Sequence, residues 1–240
     1  DPAGNNNAAA TDFTFTYETT APTVTITSAD VNTGGSHNGA TTMIFTFSEE
    51  MTGIANGDFT FTNCAAGTFS VETANTVFHQ VCTPSTNGAT VTVAVAASKG
   101  TDPAGNNNAA ATDFTFTYDT TAPTMTITST TVSSGATTND ATIALVFTSS
   151  ESTANLVSGD VTLSAGSIGS SFAGSGSSYS ATFTPSADAT FTISIAAGTF
   201  TDAAGNSNTV SNSFTWTYDS TALTMTIASS TSGVTSGATT

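Results

Sequence analysis

Acidic side chains dominate the residues of this sequence that could do chemistry. Seventeen Asp and Glu residues stand against a single Lys, Lys99, and no Arg, which gives a formal net charge of −16. Because they have almost no basic partner within the chain, these carboxylates must remain solvated, lie apart, or share a cation from the medium. Clusters of oxygen ligands favour calcium, so calcium is the cofactor that this composition indicates. The same charge balance argues against binding to nucleic acid or anionic membranes, which requires basic patches.

Side chains suited to catalysis are scarce. A nucleophile needs a base within hydrogen-bond reach, and the sequence holds only two histidines, His37 and His79. Glu49 and Glu50 could in principle form the carboxylate pair of a glycosidase, but adjacent residues of an extended segment point to opposite sides. The sequence therefore predicts a protein that is not an enzyme.

The two cysteines, Cys64 and Cys82, raise the question of a disulfide or a metal site. With two histidines as the only other soft ligands, they make a poor zinc set. We expect a disulfide, since the rest of the composition is typical of a secreted protein. Two buried free thiols are the alternative.

An internal repeat sets the domain organisation. Residues 1–28 return at 102–129 with two changes, Glu18 to Asp119 and Val24 to Met125, and a more diverged copy starts at Asp202. A spacing of roughly 100 residues is the length of one immunoglobulin-type β-sandwich. The predicted organisation is the end of one repeat, two complete repeats and the start of another, at residues 1–21, 22–121, 122–221 and 222–240.

The elements that carry these residues are predicted to be β-strands. Apolar residues and Thr alternate with period two between Gly, Asn and Asp turns, and no segment has a helical period. The fold class is therefore all-β, as tandem seven-stranded immunoglobulin-like β-sandwiches in a linear array, stiffened at the linkers by Pro22 and Pro123. Seven strands are predicted in the first complete repeat, near residues 23–28, 41–48, 58–63, 67–73, 76–83, 89–97 and 113–118.

Three motifs resemble those of the bacterial Ig-like repeat domains of large surface adhesins and related algal and marine extracellular proteins. They are Asp-x-Ala-Gly-Asn-x-Asn at 102–108 and 202–208, Tyr-Asp-Thr-Thr-Ala-Pro at 118–123, and Phe-x-x-Ser-Glu at 147–151. The resemblance covers essentially the whole chain. It implies a seven-stranded sandwich, an array architecture, a role in adhesion or spacing, and often calcium at module junctions. The sequence departs from the pattern in its two cysteines, its near lack of Lys, and Leu223 in place of the linker Pro.

In an immunoglobulin topology, three acidic segments of each repeat meet at the end where the first strand enters. Carboxylate and amide oxygens that converge from separate loops are what a calcium ion needs. The alternative is that Asp, Asn and Gly only form turns, with local hydrogen bonds to the backbone. The predicted ligands are Glu18, Glu50 or the adjacent Glu49, Asp102, Asn106 and Asn108 at one junction, and Asp119, Glu151, Asp202, Asn206 and Asn208 at the next.

These features together predict a structural or adhesive extracellular repeat array, a stalk or fibre subunit at the cell surface that calcium stiffens. Its expected partners are other copies of the protein or neighbouring repeats, with cell-surface glycans as a further option. Two alternatives stay open: a carbohydrate- or ice-binding surface built from the Thr-x-Thr ladders, and an accessory stalk of a larger secreted enzyme. No window of 18 apolar residues occurs, so no transmembrane helix is predicted.

Overall fold

The computed structural model describes residues 1–228. The start of a following repeat is predicted at 222–240, and its part from residue 229 onward lies outside the described residues. The chain divides into two compact units. The first unit contains Asp1–Ala122 together with Thr201–Asn206, and the second contains Pro123–Phe200 with the described residues from Ser207. These units are defined by which residues pack together and do not coincide with the predicted repeats, so the repeat boundaries stay a prediction.

The first unit has two four-stranded sheets, ordered β1-β3-β6-β5 and β2-β8-β7-β4. Neighbouring strands are antiparallel except for β2 and β8, which are parallel. A short 3-10 helix at Asn56–Asp58 precedes the fourth strand. The strands are β1 (Val24–Ser28), β2 (Ser36–His37), β3 (Thr41–Phe47), β4 (Phe59–Thr62), β5 (Cys64–Thr73), β6 (Val77–Pro84), β7 (Thr90–Val95) and β8 (Phe114–Tyr118).

The second unit repeats this arrangement, with sheets ordered β9-β11-β14-β13 and β10-β16-β15-β12. Two 3-10 helices, Ser158–Asp160 and Gly169–Ser171, lie in its loops. Its strands are β9 (Met125–Ser129), β10 (Thr137–Thr138), β11 (Ile143–Ser149), β12 (Val161–Leu163), β13 (Ala173–Ser175), β14 (Ser178–Phe183), β15 (Ala189–Ile195) and β16 (Phe214–Tyr218).

Each unit has one hydrophobic core to which both of its sheets contribute. In the first unit the rings of Phe45 on β3 and Phe59 on β4 stack with their centroids 3.8 Å apart, although these strands belong to different sheets. In the second unit Phe183 on β14 meets Trp216 on β16 edge to face at 4.8 Å. The period-two pattern of the strands places alternate side chains in this core, as expected for half-buried sheets.

The strand register shows how the two units fill one core position differently. Cys82 pairs with Thr41 across β6 and β3, and Phe183 pairs with Ile143 at the equivalent place across β14 and β11. Both side chains are completely buried. Phe183 therefore occupies in the second unit the core position that Cys82 occupies in the first.

Two details differ from the sequence prediction. Among residues 1–228, each unit has eight strands instead of seven, because a two-residue strand, β2 or β10, runs parallel to the last strand. Residues 13–17 repeat the sequence of β8, but they form no strand and their aromatic side chains are exposed.

A side chain from the loop before the seventh strand fixes the segment that follows the last strand. In the second unit, Asp188 accepts hydrogen bonds from the Ser220 hydroxyl at 2.6 Å, the Ser220 N–H at 2.9 Å and the Thr221 hydroxyl at 2.7 Å. The two hydroxyls, Ser220 first, lower the pKa of Asp188 below its ordinary value of 3.8. In the first unit, the neutral Asn87 accepts from the Thr120 N–H at 2.7 Å.

Candidate metal centre

Asp102 is the buried centre of the acidic loop between β7 and β8. Its backbone carbonyl accepts from the N–H of Gly105 at 3.1 Å, which closes a tight turn in which Gly105 has a φ of +96°. Only glycine adopts such a conformation readily. The carboxylate Oδ1 of Asp102 then accepts the Asn106 N–H at 2.8 Å. The Asp-x-Ala-Gly-Asn motif thus folds around its own carboxylate, and only 2% of Asp102 is exposed.

Asn106 connects this loop to the segment that enters the repeat. Its Nδ2 donates to Asp102 Oδ2 at 2.8 Å and to Glu18 Oε2 at 2.5 Å. The same nitrogen lies 3.4 Å from the Glu18 carbonyl oxygen. Asn106 therefore presents a donor to the two carboxylates, and this brings Glu18 and Asp102 together without Asn106 acting as an oxygen ligand.

Glu49 supplies the third carboxylate of the centre. One oxygen each from Glu18, Glu49 and Asp102 lie within 4.8 Å of one another. Glu49 is half-buried two residues after the end of β3, whereas Glu50 is exposed and does not belong to this group. Of the two adjacent glutamates the structure brings in Glu49, because burial alternates from Phe47 through Glu49 to Met51 and leaves Glu50 exposed.

Desolvation and repulsion act on the carboxylates of this centre. Partial burial, followed by the charges of Asp102 and Glu18, raises the pKa of Glu49 above its ordinary value of 4.5. Burial also opposes ionisation of Asp102, but the hydrogen bonds that Asn106 donates outweigh it, so the pKa of Asp102 is lowered. The centre therefore places a carboxylate whose pKa is lowered beside one whose pKa is raised. A divalent cation is what such a group of oxygen ligands fits.

Asn108 and Asn208, both predicted as ligands, have a structural role instead. Asn108 Oδ1 accepts the N–H groups of Lys99 and Gly100 at 2.7 and 3.1 Å. Its Nδ2 donates to two backbone carbonyls at 2.9 and 2.8 Å. The Asn208 carboxamide makes the equivalent four bonds in the second unit. Because loop backbone occupies both carboxamides, these side chains hold the loop and have no oxygen to offer a cation.

The predicted ligands of the later junction fall in different units. Asp202 and Asn206 reproduce the Asp102 loop within the first unit, where Asn206 Nδ2 donates to Asp202 Oδ2 at 2.8 Å and to the Asp119 carbonyl at 2.9 Å. The Asp119 carboxylate accepts the Thr121 N–H at 2.9 Å. Glu151 belongs to the second unit and follows β11 as Glu49 follows β3.

Cys64 and Cys82 are joined by a disulfide between the first residue of β5 and β6, with their Cα atoms 5.6 Å apart. The bridge spans two neighbouring strands of one sheet, and it adds a covalent link where Cys82 lies in the core of the first unit.

Among residues 1–228, no helix is long and apolar enough to cross a membrane.

The comparisons with known proteins identify a family. The family model described as a bacterial Ig-like domain matches residues 18–118 and 119–218. No curated protein sequence matches the chain. Similar solved structures include the Yersinia pseudotuberculosis adhesin InvE, at 13% identity and a TM-score of 0.30 over 82% of this chain and 58% of that one. InvD of the same organism shows 12% identity and a TM-score of 0.34 over 84% and 60% of the two chains. The D0-D1 domain of intimin shows 13% identity and a TM-score of 0.23 over 80% and 97%.

The chain spans only 58% and 60% of the first two of these structures. All three TM-scores lie below 0.5, so these superpositions define no shared arrangement. The two family-model matches cover most of the sequence, one for each complete repeat.

Proposed function

The chain belongs to the bacterial Ig-like domain family, and from this premise we propose that it is a segment of an extracellular repeat array, the stalk or fibre of an adhesive surface protein. Each module would be a β-sandwich that spaces a binding region from the cell. The disulfide of the first unit supports an oxidising, extracellular location.

The observation that carries this proposal is the clasp between the acidic loop and the segment that enters the repeat. Asn106 holds Glu18, four residues before Pro22, by its carboxylate and by its backbone carbonyl. Asn206 holds the carbonyl of Asp119 in the same way, four residues before Pro123. A loop that fixes the entering segment restricts the hinge at each linker, and restricted hinges are what a stalk requires.

We further propose that calcium completes this clasp through the carboxylates of Glu18, Glu49 and Asp102. These three side chains would supply part of the six to eight oxygens that calcium takes, and water would supply the others. A bound divalent cation would offset the repulsion that, after burial as the larger cause, raises the pKa of Glu49. Calcium would therefore favour the clasped linker over the open one, because only a difference in affinity between two states can shift their equilibrium.

Isothermal titration calorimetry tests the calcium proposal on the 240-residue chain after chelation and dialysis. Glu49→Gln should weaken calcium binding at the centre formed with Glu18 and Asp102 by at least about tenfold. Glu50→Gln, an adjacent change of the same chemistry, should leave it unchanged. Equal effects of the two substitutions, or no heat of binding in the parent chain, would refute the assignment of Glu49.

Small-angle X-ray scattering tests the stalk itself. With calcium the maximum dimension should be that of an extended chain of modules, and it should shorten when chelator is added. Asn206→Ala should shorten it even in calcium, because the clasp on the Asp119 carbonyl, four residues before Pro123, is lost. A profile that neither calcium nor this substitution changes would contradict a stalk held by its linker clasps.

A further inference from the structure

The first strand of the first unit has an open edge. β1 is the outermost strand of its sheet and pairs only with β3. The hydrogen bonds that bracket this pair run from the Ala29 N–H to the Thr42 carbonyl at 3.1 Å and from the Ser48 N–H to the Thr23 carbonyl at 2.9 Å. Because bonding residues alternate along an antiparallel strand, the odd-numbered residues of β1 face β3. Ile26 consequently directs its N–H and carbonyl to the open side.

The second unit closes the same edge with a side chain. Asn212 Oδ1 accepts the N–H of Ile127 at 2.7 Å, and Asn212 Nδ2 donates to the carbonyl of Ile127 at 2.9 Å. Ile127 occupies on β9 the place of Ile26 on β1, since each lies opposite a core Phe of the neighbouring strand. A single carboxamide thus reproduces the pair of hydrogen bonds that another strand would make.

Thr112 stands in the first unit where Asn212 stands in the second, two residues before the first Phe of the last strand. Its hydroxyl cannot supply both a donor and an acceptor at the spacing of a carboxamide. Of the described residues, none makes a hydrogen bond to Ile26 on its open side. Ile26 is 8% exposed, whereas Ile127 is 1% exposed.

A groove of about 380 Å³ runs along this open edge. It is lined by the whole of β1 and by residues 31–33 and 112–114. The five residues of β1 give it a length of roughly 17 Å, at about 3.3 Å per residue. Its lining combines apolar side chains, among them Ile26, Val31 and Phe114, with the free peptide groups of β1. Such a groove matches an extended polypeptide, whose backbone gives affinity and whose alternate side chains enter the apolar lining.

We propose that this groove, the β1 edge groove, binds an extended strand of another protein, whose peptide group pairs with the Ile26 N–H and carbonyl as the Asn212 carboxamide pairs with Ile127. The charge of the chain selects the class of partner. Asp113 lines the groove, and the chain carries a net charge of −16. A second copy would be repelled, so the strand that fits is neutral or basic. This site is separate from the calcium centre and does not depend on the proposed stalk function.

The test uses the 240-residue chain and a blocked peptide, acetyl-Lys-Thr-Val-Thr-Val-Thr-Lys-amide, followed by NMR of the backbone amides. Peptide added to about 1 mM, where even weak complexes form, should shift the Ile26 amide and leave the Ile127 amide unchanged. Thr112→Asn installs the carboxamide of the second unit and should weaken peptide binding at least about tenfold, since it occupies both hydrogen-bonding groups. Thr60→Asn, the same change at an exposed position on β4, should leave binding unchanged.

The reciprocal substitution makes the test independent of any one variant. Asn212→Thr should open the edge of β9 and create a second site at Ile127. The same peptide with Glu in place of both Lys should bind several-fold more weakly than the Lys peptide. The proposal is wrong if the peptide leaves the Ile26 amide unshifted, or if Thr112→Asn binds as the parent does. Equal binding of the acidic peptide, or self-association of the chain that Thr112→Asn abolishes, would overturn the assignment of a neutral or basic partner.

Discussion

Asn208 is the side chain whose removal best separates a structural role from a metal-binding one. Its Oδ1 accepts the N–H groups of Thr199 and Phe200 at 2.8 and 3.0 Å, and its Nδ2 donates to the carbonyls of Ala196 and Thr209 at 2.8 Å each. Asn208 is 3% exposed, so water cannot easily replace these partners. At about 1 kcal/mol for each hydrogen bond, Asn208→Ala should destabilise the second unit by about 4 kcal/mol.

The single Trp of the chain makes this loss measurable in one unit. Trp216 is buried in the core of the second unit, so its fluorescence reports the unfolding of that unit in urea. With an m-value of about 1–3 kcal/mol/M, a loss of about 4 kcal/mol lowers the midpoint by roughly 1–4 M. Asn108→Ala is the matched control, since it breaks the same four bonds in the first unit and should leave the Trp216 transition unchanged.

Calcium distinguishes the two roles of Asn208. If the carboxamide holds loop backbone, Asn208→Ala costs the same stability in calcium and in chelator. If it were a ligand, the loss would be confined to calcium. A destabilisation in chelator smaller than about 1 kcal/mol, the value of one hydrogen bond, would refute the structural role.

Three further predictions concern the pH dependence, proteolysis and cross-linking of the chain. Because the pKa of Asp188 is lowered in the folded state, Asp188 stabilises the second unit at pH values above its ordinary pKa of 3.8. This stabilisation is lost as the pH falls through the folded-state pKa. In the parent chain, the urea midpoint followed by Trp216 fluorescence should therefore fall between about pH 5 and pH 3. Asp188→Asn, which copies the neutral Asn87 of the first unit, should make this fall smaller, and an equal fall in the variant would contradict the prediction. Trypsin should cut only after Lys99, the single Lys or Arg residue, and any other fragment seen by mass spectrometry would contradict this. Reduction of the bridge between Cys64 and Cys82 should cost the first unit about 3 kcal/mol, and alkylation of either thiol without reductant would argue against the disulfide.

The strand pattern was predictable because it follows from local chemistry. Alternating Thr and apolar residues specify an extended segment with one buried face, and the seven predicted strands each overlap a strand of the first unit. β2 was missed because two residues, Ser36 and His37, cannot show a period, and their pairing with β8 is a long-range contact.

The acidic centre was predictable in composition but not in its atomic roles. Convergence of the acidic segments followed from topology, and the structure brings Glu18 and Asp102 together. The choice between Glu49 and Glu50 could have been made from parity, since Glu49 lies two residues from the buried Phe47 on the same alternation. The role of Asn108 could not have been predicted in this way, because a carboxamide can bind a cation or hydrogen-bond to loop backbone equally well.

The two repeats share two structural requirements, one at a core position and one at the open side of the outer strand, and they meet them with different residues. Both units need an apolar or bonded group at one core position, and Cys82 and Phe183 each satisfy it. Both units also have an outer strand whose central residue needs a donor and an acceptor on its open side. Asn212 meets this need within the second unit, but Thr112 does not meet it in the first. If the β1 edge groove binds a strand as we propose, the first repeat has a binding property that a spacer of the same fold does not need.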